Sequence, residues 1–419
     1  MSSEWERLKL ASIAKFTTGK LDSNAAQING IYPFFTCSPE TLSINTYAFD
    51  TEAILLAGNN ANANFPIKYY KGKFNAYQRT YIIESKDIEK LNNKFLFYSL
   101  QNSLLKLKEL SIGSATKFLT KTILDNLDIS CPDILEQKRV VEILGGIDDR
   151  ITLLRETNTT LEAIAQALFK SWFVDFDPVH AKQQGRAPEG MDAQTAALFP
   201  DSFEESELGM VPKGWSWSTL VECTSYLNRG ISPKYVEEGG IPVLNQKCIR
   251  DFSVDFSKAR RHDPALRKID GRELMQGDVL VNSTGVGTLG RVAQLLNLDE
   301  PTIVDSHVTV VRAGQKINSE YLGCFMQWKQ PTIEDMGEGS TGQTELSRKK
   351  LGQLEMLQPD EKTLLAFREL INPLKERISS NEKSISSLAT LRDTLLPRLI
   401  SGQLRLPEAQ ALAEDAVDA

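Results

Sequence analysis

Two stretches of the chain carry apolar side chains at alternating spacings of three and four. The first runs Val140, Leu144, Ile147, Ile151, Leu154, Asn158, Leu161, Ala165, Leu168, Trp172, and the second runs Phe367, Ile371, Leu374, Ile378, Asn381, Ile385, Leu388, Arg392, Leu395. Several heptads of this kind predict two long amphipathic helices, and two such helices in one chain are expected to pair as a coiled coil. A helix of about 40 residues is roughly 60 Å long. Ahead of each seam lie short β-like runs, Ala53–Leu56 and Thr80–Ile83 in the first case, Asp278–Val281 and Val308–Val311 in the second. Each set is followed by a shorter helical pattern, near Asn93–Leu110 and Ser319–Lys329.

The layout is a duplication. Gly113–Pro132 (GSATKFLTKTILDNLDISCP) resembles Gly339–Pro359 (GSTGQTELSRKKLGQLEMLQP), and the closing prolines lie 227 residues apart. At that offset Arg150-Ile151 falls on Arg377-Ile378, Leu161 on Leu388 and Leu168 on Leu395. A period this long is a repeated globular module with its helix, not a solenoid unit. The expected fold class is α+β: two similar mixed modules separated by two long helices that form an antiparallel coiled coil with internal pseudo-two-fold symmetry. The expected boundaries are a first module over 1–132, a long helix over 133–178, a linker over 179–212, a second module over 213–358, a second long helix over 359–406 and an acidic tail over 407–419. The linker reads as a surface path with a few docking points.

Each seam holds one asparagine. Residues facing one another across an antiparallel pseudo-dyad have a constant sum of numbers. Setting Asn158 opposite Asn381 puts the dyad at the midpoint of the first seam. The two asparagines are therefore expected within about 10 Å of each other, where they would fix register. The other reading makes them two solvated residues at the seam's edge. Gly145-Gly146 and Pro373 fall at matching repeat positions, and both weaken a helix. They mark either a plain interruption or a bend where the coil leaves its module.

Composition narrows the function. The 419 residues are 41% hydrophobic and 25% charged, with no apolar run of the roughly 18 residues that span a bilayer. The N-terminus has no apolar signal core. Five scattered cysteines without a CxxC pair and three histidines argue against a disulfide framework or a zinc site and for a reducing, cytoplasmic compartment. The net charge is −7, but residues 1–132 carry +3 and residues 213–358 are neutral, so the acid lies in helices, linker and tail. A local basic face that binds DNA remains open. No GxxxxGK[ST] loop, no Asp/Asn-Pro-Pro-aromatic tetrapeptide and no HExxH occurs. Ser283–Gly290 is glycine-rich but lacks the lysine of a phosphate loop. No catalytic constellation is present.

Groups suited to DNA are plentiful. In the first module these are Lys20, Asn60, Asn62, Asn64, Lys71, Lys73, Gln78, Arg79, Ser114, Thr116 and Lys117. In the second they are Arg229, Lys234, Arg260, Arg261, Ser283, Thr284, His307, Ser340, Thr341 and Gln343. Amides pair bidentately with adenine and arginine with guanine, while lysines and hydroxyls suit phosphates. For the cationic run Lys258–Arg272 the competing reading is a solvated charged face; for the two Gly-Ser loops it is a plain turn; His307 is either core or readout.

With these residues in view, the chain resembles the specificity subunit of type I restriction–modification systems. The resemblance rests on Trp172–Pro178 (WFVDFDP), Leu198–Phe203 (LFPDSF) with Glu207–Gly209 and Pro212–Trp215, the paired Gly-Ser loops, and Leu391–Gly402 (LRDTLLPRLISG). It covers the layout of essentially the full chain. It implies two target recognition domains, each reading half of a bipartite DNA sequence, and a coiled coil that sets the spacer. It implies a non-catalytic subunit that works with two modification subunits, which carry S-adenosylmethionine and methylate adenine. A motor–nuclease subunit that uses ATP and Mg2+ would join them, with no cofactor in this chain and no membrane partner. Because the modules differ, the target is expected to be asymmetric. Trp172, Phe173, Leu396 and Leu399 are candidate contacts to partner subunits, or else close the coil within the chain. A methylation-only complex without nuclease, and a coiled-coil scaffold for proteins, are the alternatives.

Overall fold

The computed structural model describes residues 5–339 and 344–404, and the chain divides into two compact units. One holds the residues up to Leu154 and those from Lys383 on; the other holds Arg155–Glu382. Each unit therefore takes one globular module and a part of both long helices.

The first unit is built on a six-stranded sheet. Its order is Ala14–Thr18, Thr80–Ser85, Phe49–Ala57, Ile67–Ala76, Tyr32–Phe35, Leu42–Ile44, antiparallel except for Tyr32–Phe35 beside Ile67–Ala76. The strand Phe49–Ala57 lies centrally, and Ala53–Ala57 are all buried. The expected helix over Asn93–Leu110 is two helices, Asn93–Asn102 and Leu104–Leu110, with Ser103 between them. Asn92 caps the first, its Oδ1 accepting from the amides of Lys94 and Phe95. Glu6–Lys9 pairs antiparallel with Asp128–Cys131, so the module's two ends lie side by side.

The second unit carries two four-stranded sheets. The first is ordered Thr224–Arg229, Val308–Ala313, Val279–Asn282, Val292–Gln294, and the second Tyr235–Val236, Arg260–His262, Ile241–Leu244, Ile303–Val304. Ser216–Thr219 and Glu355–Gln358 close it as an antiparallel pair, like the corresponding strands of the first unit. The linker is ordered: helices Asp177–Gln183 and Ala193–Leu198, then a hairpin of Phe203–Ser206 and Gly209–Pro212. Val179, Phe199, Val211 and Trp215 sink from this path into the unit's core.

The long helices are Ile134–Phe173 and Glu361–Ile400, each 40 residues and displaced by 227 from one another. Their starts are specified alike. Asp133 accepts from the amides of Leu135 and Glu136, and Asp360 accepts from those of Lys362 and Thr363. Both are N-caps that satisfy otherwise orphaned donors. Two residues past the end of the second helix lies Gly402, whose φ of 73° is the left-handed conformation that glycine tolerates.

Neither helix is interrupted at its weak point. Gly145 is buried, and a Cβ there would meet the Lys94 ammonium at 2.9 Å, so the glycine permits close packing. Pro373 is exposed; it lacks an N–H for the Glu369 carbonyl but sits on the solvent face, where water can take that bond.

Within the first unit, Val140, Leu144, Ile147, Ile151 and Leu154 share one core with Leu388, Leu395, Leu396, Leu399 and Ile400. Within the second, Ala165, Phe169, Trp172 and Phe173 share one with Phe367 and Ile371. Each of the buried Val, Leu, Ile and Phe side chains contributes about 1.5–3 kcal/mol through burial. The helices pair antiparallel in each unit. Asp148 meets Arg392 at 3.0 Å in the first; Asn158 meets Asn381 and Glu162 meets Lys375, both at 2.7 Å, in the second.

Candidate nucleic-acid interface

In the first unit the central strand Phe49–Ala57 leaves the sheet at Gly58. The amide of Gly58 donates to the carbonyl of Arg79 at 2.8 Å, and the amide of Leu119 donates to the carbonyl of Gly58 at 2.9 Å. A side chain at Gly58 would place Cβ 2.5 Å from the Arg79 oxygen, so only glycine fits. Asn59 and Asn60 then pair antiparallel with Phe118 and Lys117. The Arg79 guanidinium lies over the Phe118 ring, 5.5 Å from its centroid, a cation–π contact that holds it at the surface. Lys20 and Gln78 flank the same turn, because the amide of Gln78 donates to the carbonyl of Leu21. Asn60, Arg79, Lys117, Gln78 and Lys20 are thus brought together.

The other candidates of this unit divide. Asn60 Oδ1 accepts from the amides of Asn62 and Asn64, at 2.9 and 3.3 Å, so that oxygen shapes the loop while Asn62 and Asn64 project outward. Ser114 and Thr116 lie in the strap before Lys117; Ser114 is exposed and Thr116 half-buried. Lys71 and Lys73 stand on the strand Ile67–Ala76, where Lys71 faces Glu52 at 3.5 Å and Lys73 lies over the Tyr47 ring. Next to them burial pushes the Lys68 ammonium down to about 8, although Glu40 draws it back up.

The second unit builds the same frame from different residues. The strand Val279–Asn282 ends at Ser283, whose amide donates to the carbonyl of His307 at 2.8 Å. The amide of Leu346 donates to the carbonyl of Ser283 at 2.8 Å, and Thr284 bridges antiparallel to Glu345. Thr284 Oγ1 donates to Gln246 Oε1 at 3.2 Å and lies 2.8 Å from His307 Nδ1. His307 is exposed, at the turn that leads into Val308–Ala313, and its amide donates to Asp305 Oδ1 at 2.9 Å. Burial pushes the Asp305 carboxyl up, against the pull of that hydrogen bond. Arg229 is ion-paired with Glu345 and donates to the carbonyl of Leu346 at 2.7 Å, and Arg348 donates to Asn228 Oδ1. Gln246 was not among the residues expected from sequence; only its placement against Thr284 reveals it.

Three expectations are corrected for this unit. Ser283 is fully buried, its hydroxyl 2.5 Å from Thr309 Oγ1, so it is a core hydroxyl and not a DNA contact. Arg261 is tied to the carbonyls of Gly239 and Gly240 and to Glu300 at 2.9 Å, leaving its charge neutralised within the fold. His262, part of the same cationic run, is buried between backbone groups of Lys234 and Arg267. Arg260 and Lys234 are exposed, Arg260 stacked 3.3 Å over the Tyr235 ring. Ser340, Thr341 and Gln343 lie outside the described residues.

A further correction concerns the partner contacts. Trp172, Phe173, Leu396 and Leu399 are at most 7% exposed. Trp172 and Phe173 pack on Phe199, Trp215 and Phe367, while Leu396 and Leu399 join the first unit's core. Their apolar surface is consumed inside the chain. The Asn158–Asn381 pair is found in contact, with Asn381 Nδ2 donating to Asn158 Oδ1.

Residues 2–163 match the family model described as the type I restriction modification DNA specificity domain. Over 237 residues the chain is 35% identical to the EcoDI type I restriction enzyme specificity subunit of Escherichia coli, covering 55% of this chain and 51% of that protein. The chain is similar to the type I restriction specificity subunits, and its first module matches their DNA specificity domain.

Another specificity subunit, HindI of Haemophilus influenzae, is 25% identical over 337 residues, covering 68% of this chain and 71% of its own. The matched stretch thus spans about half the length of the first relative and about seven-tenths of the second. The crystal structure of the type I S subunit from M. genitalium covers 94% of this chain and 96% of its own, with a TM-score of 0.55 at 17% identity, a likeness of fold. Among the described residues no helix is long and apolar enough to cross a membrane. Among them there is likewise no cluster of side chains able to hold a metal ion.

Proposed function

We propose that this chain is a specificity subunit that reads a bipartite, asymmetric DNA sequence, one half with each module, and that it does so without chemistry of its own. The observation that carries the reading is the repeated frame. The same backbone hydrogen bonds hold Arg79 beside Gly58 in one module and His307 beside Ser283 in the other; Asn60 and Lys117 adjoin the first, and the Thr284 and Gln246 side chains adjoin the second. A shared scaffold that presents guanidinium and amides in one copy, and imidazole and hydroxyl in the other, suits two different base sequences. Lys20 and Lys117 in the first module, and Lys234 and Arg260 in the second, supply cations for phosphates.

The paired long helices act as a spacer of fixed length and as the platform for two modification subunits, which bring S-adenosylmethionine. A motor–nuclease subunit brings ATP and Mg2+, and the assembly works in the cytoplasm. Since Trp172, Phe173, Leu396 and Leu399 are buried, partner docking falls to exposed positions of the helices, among them Ile164 and Leu370.

The test is to co-express the chain with its modification subunits and map methylated adenines across the host genome. The expected result is one motif of two unlike halves around a nonspecific gap. A symmetric motif, or no methylation that depends on this chain, would overturn the proposal, as would methylation by the chain alone.

A further inference from the structure

Arg79 and His307 occupy the same place in the two modules, although the offset of 227 that relates the long helices does not pair them. The correspondence is carried by backbone bonds. The carbonyl of each accepts from the residue where the central strand ends, Gly58 or Ser283. That residue's own carbonyl accepts from Leu119 or Leu346, which are 227 apart. Two residues before each, Tyr77 and Asp305 donate to Phe35 and Leu244, and bridge in parallel to Leu21 and Ile231. At this shared place both side chains are exposed.

We propose that Arg79 and His307 are the corresponding base-reading positions of the two modules and that they select opposite hydrogen-bonding edges. The inference deepens the DNA-reading function above and rests on it. Arg79 has no ion pair among the described residues, and its planar fork, held over Phe118, is free for the two acceptors of guanine.

His307 is set by its neighbours. Thr284 has one hydroxyl hydrogen and two contacts, Gln246 Oε1, which can only accept, and His307 Nδ1. Both contacts are hydrogen bonds at once in one arrangement: the hydroxyl donates to Gln246 Oε1, and His307 Nδ1, 2.8 Å from Thr284 Oγ1, donates to that oxygen. Neutral His307 is left with a bare lone pair at Nε2, an acceptor. In the major groove an acceptor selects the exocyclic amine of adenine or cytosine. One module thus reads a guanine and the other an amino base at the equivalent step.

The experiment uses the full chain assembled with its modification subunits. The wild-type target is mapped first, and binding is then measured on duplexes randomised one position at a time. Arg79→Ala and Arg79→Lys are both expected to lose about tenfold or more of the preference for one guanine in one half-site. Arg79→Lys keeps the charge and loses the fork, so it separates base reading from phosphate attraction. His307→Ala is expected to relax an adenine or cytosine in the other half-site only. Gln246→Leu frees the Thr284 hydrogen for His307 Nδ1 and is expected to turn that preference toward a keto base.

Unchanged preferences in folded variants overturn the inference. So do a uniform loss of affinity over all sequences, effects of both residues in one half-site, or an Arg79→Lys variant that still selects guanine. An amino-base preference that survives Gln246→Leu overturns the assignment at His307. A wild-type complex that selects no bipartite sequence overturns the function itself; one that selects it while the variants read alike overturns only this inference.

Discussion

Asn381 Nδ2 donates a hydrogen bond to Asn158 Oδ1 at 2.7 Å, amide to amide across the seam of the two long helices. Asn381 is 3% exposed, so its amide is costly unless partnered. Asn381→Leu should leave Asn158 half-buried without its partner and lower stability by about 1–3 kcal/mol. Changing both residues to leucine should recover that loss or exceed it, while weakening the specification of register. Thermal melting of both single variants and the double variant, combined as a mutant cycle, checks this. A double variant less stable than either single would refute it.

Lys375 Nζ lies 2.7 and 2.9 Å from the two carboxylate oxygens of Glu162, with both side chains largely buried. Breaking a pair of this kind from one side strands the other charge. Lys375→Met should cost about 3–5 kcal/mol, and Lys375→Met with Glu162→Leu much less. Chemical denaturation of the four proteins measures the coupling.

Glu382 predicts a pH dependence. Burial raises its carboxyl above the usual range, although Ser253 Oγ at 2.6 Å and Asn297 Nδ2 at 3.3 Å donate to it and oppose the shift. A raised acid binds its proton more tightly in the folded state than in the unfolded state. Its contribution therefore favours folding at low pH and is lost as pH rises through the ordinary carboxylate range to the raised value. Glu382→Gln should remove that loss. Denaturation midpoints of the variant relative to wild type should improve between about pH 4 and pH 7, since a free glutamate titrates near 4.3. An equal difference at both pH values would count against it.

Trp172 is predicted to serve the fold before any partner. Its ring lies 4.9 Å from that of Phe199 and 5.6 Å from that of Phe367, edge-on and tilted respectively. Trp172→Ala should cost about 3–5 kcal/mol. The cost should appear in the isolated chain as a lower melting temperature. A variant that melts like wild type yet fails to bind modification subunits would restore Trp172 to an interface.

The periodic parts of the molecule were the legible ones. Seam residues such as Ile147 and Ile378 are buried as their spacing requires, and Asn158 meets Asn381 because one offset relates both helices. Inside the modules the runs at Ala53, Thr80, Val279 and Val308 did fall in strands, but the correspondence between the two modules was legible only at their C-terminal ends. Lys121–Asp125 and Arg348–Gly352 are 227 apart, but Leu10–Ile13 and Leu220–Cys223 are 210 apart, so one offset cannot align a whole module. Residue type also does not reveal direction. Ser283 and Thr284 are neighbours of similar chemistry, yet strand geometry turns one into the core and the other toward Gln246. Arg261 looked like a free cation because its partner Glu300 is far away in sequence.

The antiparallel strand pairs Glu6–Lys9 with Asp128–Cys131, and Ser216–Thr219 with Glu355–Gln358, have a consequence for how such a chain can change. Each clasp fixes where a module's chain enters and leaves, so whatever lies between is a closed excursion. The second excursion is 17 residues longer than the first, counted from Lys9 to Asp128 and from Thr219 to Glu355. Closing a longer loop adds little entropy loss, about 0.6 kcal/mol for each doubling of length. Mutation and insertion inside a clasp can therefore rewrite the reading surface while leaving Asp133 and Asp360 to start the same helices at the same places.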